Sequence, residues 1–223
     1  MQRATAPSFT YVPPHPPWFS VLHADSHVLV LDKPSGLLSV PGKAPEHKDC
    51  LETRVQAWFP EARTVHRLDM DTSGVCVMGL TADAHRNLSM QFQRRKTAKT
   101  YLARVQGRLP APEGEIDLPL LCDWPNRPRQ MVDHANGRAA LTRWQVLAEE
   151  AETSRVLLFP VTGRSHQLRV HMQSQGCPIL GDRFYAPPSV EKAASRLQLH
   201  AHQLTFHHPA DGGRVTFTSP VPF

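Results

Sequence analysis

Within the stretch VHRLDMDTSG, residues 65–74, a histidine, an arginine and two aspartates fall inside six positions and run into a Thr-Ser-Gly turn. If this loop lines a cleft, its carboxylates can act as nucleophile or base. If it does not, Asp69 is a residue that caps a turn through its side chain. Two further places can hold chemistry. The strand-like TYLARVQG offers Tyr101, and the turn TGRSHQLRVH gathers Arg164, His166, Arg169 and His171. Taken singly, Tyr101 reads as a packed strand aromatic, the arginines as surface charges and the histidines as helix-face residues. A zinc site is not indicated, because His166 and His171 are five apart and cannot share one helix face, and no HExxH occurs.

The elements that would position these residues follow from periodicity. HVLVLDKPSG alternates and then breaks at Pro34-Ser35-Gly36, a strand entering a turn. LETRVQAWFP reads as a short helix stopped by Pro60, and VCVMGLT as an apolar strand. In TADAHRNLSMQFQRRK, Ala84, Leu88 and Phe92 share a helix face, with Asp83 in the first turn and Arg94, Arg95 and Lys96 expected in the last. TYLARVQG alternates, with Tyr101, Ala103 and Val105 on one side. The proline-rich region 109–137 looks like an insertion laid over the scaffold rather than part of the core. RVLLFPVTG is a further strand, and SHQLRVHMQSQG a helix with Ser165 as its expected N-cap, Leu168 and Met172 on its buried face and Gly176 as its stop. The tail forms two strands joined at Asp211-Gly212-Gly213, a hairpin. Strands outnumber helices in a mixed order, which predicts an α+β fold: a mixed, largely antiparallel sheet flanked by helices. No fixed-period repeat is present.

Composition sets the class. With 223 residues, 40% of them hydrophobic, the chain can bury a real core. Its formal net charge of +5 favours a polyanionic partner, nucleic acid first. The charge is also concentrated: from residue 84 to residue 112 there is no acidic residue, while Arg94, Arg95, Lys96 and Lys99 all fall inside. Such a stripe can hold phosphates or be a solvated face. No run approaches the roughly 20 apolar residues of a membrane span, and residues 1–17 lack the apolar core of a signal peptide, so a cytoplasmic protein is expected. Those residues hold five prolines and read as an extended arm rather than a domain, leaving 18–223 for the folded part. The four cysteines are scattered without CxxC spacing and read as reduced thiols.

Together the three places resemble one family. HRLDMDTSG is similar to the HRLDxxTSG signature of the RluA-type pseudouridine synthases, KTYLARVQG to their second motif and TGRSHQLRVHM to their third. LDKPSGLLSVPG, LCDWPNRPRQ, CPILGDRFY and LQLHAHQLTFHHP resemble the same family in the same order, so the likeness covers residues 18–223. LLSVPG with DWPNRP is particularly similar to the branch acting on both ribosomal and transfer RNA. The first 17 residues are too few for the S4-like RNA-binding domain of larger relatives, so substrate recognition is expected from the catalytic domain.

The resemblance implies isomerisation of a uridine already in RNA: the N1 glycosidic bond breaks, the base turns, and C5 takes its place. No atoms are gained or lost overall, so neither cofactor nor metal is expected. Asp69 is implied to be the catalytic carboxylate, either attacking C1′ or removing the 2′ proton to give a glycal. A second carboxylic acid, as in common glycosidases, is less necessary because uracil can leave as a stabilised anion, and Asp71 is assigned to the turn. By the same resemblance Arg169 pairs with Asp69 and keeps it ionised. Tyr101 is implied as a catalytic residue that stacks on the flipped base and whose hydroxyl can help remove the C5 proton, Arg67 fills the space that base leaves, and His66 supports the loop beside the RNA. Arg164 and His166 are expected at the RNA-binding surface with the basic stripe. A monomer acting on 23S ribosomal RNA, a transfer RNA anticodon stem-loop, or both is the reading; the alternative is a non-catalytic RNA-binding protein in ribosome or transfer RNA maturation.

Overall fold

The computed structural model describes residues 10–15 and 19–223, so part of the proline-rich arm lies outside the described residues. The chain forms two compact units, one built on Val12–Leu102 with Leu199–Phe223, the other on Ala103–Gln198.

In the first, β1 (Ser20–Ala24) and β2 (Val28–Lys33) form an antiparallel pair, and α1 (Leu51–Gln56), β3 (Arg63–Thr64), β4 (Ser73–Gly79), α2 (Ala82–Gln93) and β5 (Ala98–Gln106) follow. Strand β4 is buried along its whole length, both faces being covered, and its centre Val75–Met78 is apolar. Val75 and Val77 join Val28, Val30 and Leu88 in one core cluster beneath α2, while Cys76 and Met78 join Leu29, Leu31, Leu51 and Val55 in another beneath α1. Helix α2 starts where the Thr81 hydroxyl accepts the Ala84 amide at 3.1 Å.

The end of α2 corrects an expectation. It stops at Gln93, and Arg94, Arg95 and Lys96 lie beyond its last turn. Lys96 N–H bonds the Gln91 carbonyl at 2.9 Å and Arg95 N–H the Phe92 carbonyl at 3.2 Å, the paired bonds of a Schellman stop, with Arg95 left-handed at φ 55°. Helix α1 also ends early, at Gln56 rather than against Pro60.

In the second unit, β6 (Glu113–Asp117), β7 (Leu120–Cys122) and β8 (Gln130–Val132) precede β9 (Leu141–Glu149), β10 (Thr153–Pro160), α3 (Gln167–Ser174) and α4 (Pro188–Glu191). The sheet order here is β5-β10-β9-β6, and β7 pairs with β8 separately. The region expected to be an insertion therefore divides. Strand β6 is an antiparallel edge of the main sheet with Ile116 buried, and only the β7–β8 hairpin stands apart.

Helix α3 also departs from expectation. Its N-cap is His166, left-handed at φ 53°, rather than Ser165. No side chain caps the helix; the Gln167 side-chain oxygen instead accepts the Arg164 amide at 3.0 Å and the Thr162 hydroxyl at 2.7 Å, bracing the turn that leads into it. Gln167 through Met172 are all buried, so the helix has no solvated face over that span, and Gly176 at φ 72° follows as its stop.

The chain then returns to the first unit as β11 (Leu199–His207), hairpinned to β12 (Arg214–Thr218). Here β11 runs parallel to β4, giving the order β1-β2-β4-β11-β5. The result is an α+β fold on a mixed, mostly antiparallel sheet. No helix among the described residues is long and apolar enough to cross a membrane.

Candidate active site

The loop that carries Asp69 is fastened through its main chain. The Ser39 hydroxyl donates to the Leu68 carbonyl at 2.7 Å and accepts the Leu68 amide at 3.1 Å. Gly36 N–H reaches the Met70 carbonyl at 2.9 Å, and the Ser35 hydroxyl the Asp71 carbonyl at 2.6 Å. Lys33, 0% exposed at the end of β2, aims its ammonium at the Leu37, Pro34 and Met70 carbonyls at 2.7, 2.9 and 3.0 Å. The turn is closed by Thr72 N–H to the Asp69 main-chain carbonyl at 3.1 Å. The backbone on both sides of Asp69 is thus fixed by the LDKPSGLLS segment, which sets the point from which its side chain projects.

The Thr-Ser-Gly that follows docks the loop on β11. Ser73 Oγ and His200 Nδ1 share a 2.8 Å hydrogen bond. Gly74 has φ +114°, and a Cβ there would lie 2.2 Å from the Ala201 carbonyl oxygen. Only glycine allows β4 and β11 to run so close at this point.

Tyr101, on β5, packs half-buried against the cluster of Leu29, Leu31 and Leu68. Its hydroxyl is made a much weaker acid by burial and then by the negative charge of Asp69, which sets the two side chains within electrostatic reach. The phenol is therefore neutral near pH 7: a donor with an apolar ring, poorly suited to start as a base.

His66 lies between Arg67, which is exposed, and Val65. Its Nε2 accepts the Val77 amide of β4 at 3.1 Å, and its ring stacks on Phe92 at 4.3 Å. Burial, then the charge of Lys99, hold its pKa down to about 3, so it is neutral with its proton on Nδ1. Lys99 in turn is pulled below its ordinary range by burial and by Arg95. Arg94, Arg95 and Lys96 are exposed.

The other unit holds the third motif. Arg169, 1% exposed, donates from Nε and an Nη to both oxygens of Asp182, the former at 2.8 Å. Asp182 also accepts the Phe184 and Tyr185 amides at 2.9 and 3.2 Å, and both rings lie near the guanidinium, 5.1 and 5.2 Å away. A buried arginine with bidentate support is rigid. His166 Nδ1 meets the Tyr185 hydroxyl at 2.6 Å, and that oxygen accepts the Gln130 amide from the hairpin at 2.8 Å. Arg164 Nε donates to the Ala139 carbonyl at 3.1 Å. His171 is a core residue between Thr142 and the Leu118 carbonyl, its pKa lowered chiefly by burial. At the hairpin tip, Trp124 is 64% exposed with the Arg127 guanidinium 4.5 Å from its ring centroid.

Asp69 and Tyr101 thus come together in one unit, and Arg164, His166 and Arg169 in the other. Sequence reasoning missed Lys33, Ser35 and Ser39 as holders of the loop, and Asp182 and Tyr185 as holders of the third motif. The available signal was chemical: a buried arginine demands a carboxylate, and Asp182 stands in LGDRFY.

Residues 27–174 match the family model described as RNA pseudouridylate synthase. The chain is 57% identical over 204 residues, 91% of its length and 99% of the relative's, to the dual-specificity RNA pseudouridine synthase RluA of Yersinia pestis. It is 54% identical over 214 residues, 96% of its length and 98% of the relative's, to the protein of that name from Escherichia coli strain K12. Among solved structures, the human RNA pseudouridylate synthase domain containing 1 matches with TM-score 0.77 at 29% identity, covering 92% of this chain and 84% of that one.

Proposed function

Since the chain belongs to the RNA pseudouridylate synthase family and is an isomerase of uridine in RNA, we propose that Asp69 is the carboxylate that acts at the ribose of the target uridine. The observation that carries this assignment is the Asp69 turn, gripped at Leu68, Met70 and Asp71 by hydrogen bonds and set beside the neutral Tyr101 phenol. A carboxylate on a braced turn within electrostatic reach of an aromatic ring suits a base taken out of its stack.

The carboxylate either adds to C1′ as the N1 bond breaks, or removes the 2′ proton to give a glycal. Uracil departs with the N1 electron pair and turns, C5 bonds C1′, and the C5 proton is lost while N1 gains one. Tyr101 supplies a stacking face and a hydrogen-bond donor. Arg169 is proposed as the cation that favours the charged form of Asp69. Two of a guanidinium's five N–H donors go to Asp182, which would fix its aim. Arg67 is proposed to fill the gap left by the flipped base. The substrates proposed are stem-loops of 23S ribosomal RNA and transfer RNA, in keeping with the dual specificity in the relatives' names. Exposed Trp124 with Arg127 offers an aromatic platform for loop bases. The protein is read as a cytoplasmic monomer working without cofactor.

The test uses stem-loop RNA with tritium at uridine C5 and purified protein alone. Label should pass to water with no free uracil. Asp69→Asn should reduce single-turnover release to background while RNA still binds, whereas Asp71→Asn should keep most of it. Free uracil as product would mean hydrolysis; RNA binding with neither product would favour the non-catalytic alternative. Near-parental release by Asp69→Asn, or loss in Asp71→Asn instead, would move the catalytic role elsewhere.

A further inference from the structure

Where α2 stops and the β11–β12 hairpin begins, an open cleft of about 220 Å³ is lined by Arg95, Lys96, Thr97, Thr205, His207 and Arg214. Its walls are tied together. The Gln91 side chain donates to the His207 carbonyl at 2.6 Å and accepts the His207 amide at 2.8 Å, while the Gln91 carbonyl receives Lys96 N–H at 2.9 Å. His207 Nδ1 lies 3.1 Å from the Gly212 carbonyl, and the Thr205 and Thr216 hydroxyls share a bond of 2.8 Å. Arg95, Lys96 and Arg214 are exposed, and among the described residues none of them makes an ion pair. Arg95 takes a left-handed conformation, φ 55°, at the helix stop where glycine fits without strain. Three uncompensated cations, beside hydroxyl and imidazole groups on a braced frame, form an anion seat.

The location says which anion. Alternation along β11 puts Thr205 and His207 on the side of Ala201, and Ala201 packs in the cluster that Tyr101 joins. Thr97, immediately before β5, precedes Tyr101 by four residues, about 13 Å of extended chain. A stacked nucleic-acid strand advances about 3.4 Å per nucleotide, so that span is roughly four nucleotides. We propose that this cleft seats a backbone phosphodiester of the RNA substrate about four nucleotides from the target uridine. The proposal rests on the pseudouridine synthase reading and adds to it Arg214, His207 and Thr205, which lie far in sequence from the basic stripe.

The experiment measures RNA affinity against salt for Arg95→Gly, Arg214→Gln and the double variant, with Arg143→Gln, paired to Glu115 in the other unit, as a control of equal charge change. Arg95→Gly relieves the left-handed strain, so its melting temperature should not fall and lost binding cannot be laid to misfolding. Each single variant should lower the magnitude of the log–log salt slope by about 0.7, and the double variant by about twice that; Arg143→Gln should leave it unchanged. In a series of stem-loops with one neutral methylphosphonate each, the unmodified protein should lose affinity at a linkage about four nucleotides from the uridine, and the double variant should not. Tritium release by the unmodified protein judges the underlying reading separately. If release occurs but the slopes of both single variants and the double variant equal the parent's, the cleft does not hold RNA. If inorganic phosphate raises the melting temperature of the parent and not of the double variant while RNA slopes stay equal, the seat takes a free anion, and the proposal fails.

Discussion

Tyr101 is held protonated by burial and then by the Asp69 carboxylate, because a negative charge nearby raises the cost of a second one. In the proposed reaction the phenol would therefore enter as a donor, and any base function would stay with the carboxylate. His66, two positions from Leu68 and its fastening to Ser39, is kept neutral by burial and then by the charge of Lys99, and its Nε2 accepts from Val77 N–H, where protonation would put a donor against a donor. With a folded pKa of about 3 against an ordinary 6.5, the unfolded chain binds more protons between those values. Stability from His66 is therefore complete above about pH 6.5 and is lost as pH falls toward 3, with a slope of up to about 1.4 kcal/mol per unit. Urea unfolding at pH 7 and pH 5 should show a loss of about 2 kcal/mol from this residue. His66→Gln keeps an acceptor without titrating, so its pH 5 deficit should be smaller; His171, also buried and lowered, supplies a remainder of the same sign. Equal deficits in parent and variant would show that His66 is not the group being protonated.

The period-2 and period-3.6 patterns made the strands and the two longer helices readable, since local burial dictates both. What they could not convey was register between distant segments. That β11 inserts between β4 and β5 and runs parallel to β4 depends on contacts over more than a hundred residues of chain, which no local window contains. Helix ends were misplaced for a related reason: Arg95 stands where glycine is ordinary, and a left-handed His166 rather than Ser165 stands at the start of α3. In the site, the HRLDMDTSG motif pointed to Asp69, whereas the Lys33, Ser35 and Ser39 hydrogen bonds to its main chain carry no sequence signature of their own. Gly74 is where motif and element meet. Gly74→Ala would drive a Cβ against the Ala201 carbonyl and part β4 from β11, costing about 3 kcal/mol or more. Gly176→Ala, at φ +72° with nothing within 4 Å, meets only the backbone penalty of about 1 kcal/mol. Urea midpoints of the two variants compare these costs, and equal losses would mean that the β4–β11 approach is not the constraint.

At the scale of the molecule, two kinds of RNA contact are expected to carry different information. A chain with net charge +5 and a braced cationic cleft attracts any polyphosphate, which gives affinity and salt dependence without reading bases. The hairpin tip is of another kind: an indole 64% exposed, with a guanidinium 4.5 Å from its centroid, presents a flat face that only an unstacked base can use. The β7–β8 ladder holds that tip, and the Tyr185 hydroxyl anchors its Gln130 amide at 2.8 Å, so the platform is not a loose side chain on a long loop. Removing the indole should thus weaken binding to RNA that has unpaired loop bases and spare fully paired RNA. A stacked base is worth about 1–3 kcal/mol, so Trp124→Ala should weaken stem-loop binding roughly tenfold or more. Its affinity for a blunt duplex of the same length should be unchanged, because paired bases offer no free face. The salt slope should also hold, since no charge has been removed, in contrast to the cleft variants, which should lower the slope. Titrating stem-loop and duplex at two salt concentrations separates these outcomes. Equal weakening on both RNAs, or a changed slope in Trp124→Ala, would show that the tip acts through phosphates or through the fold, and the stacking platform would have to be sought elsewhere.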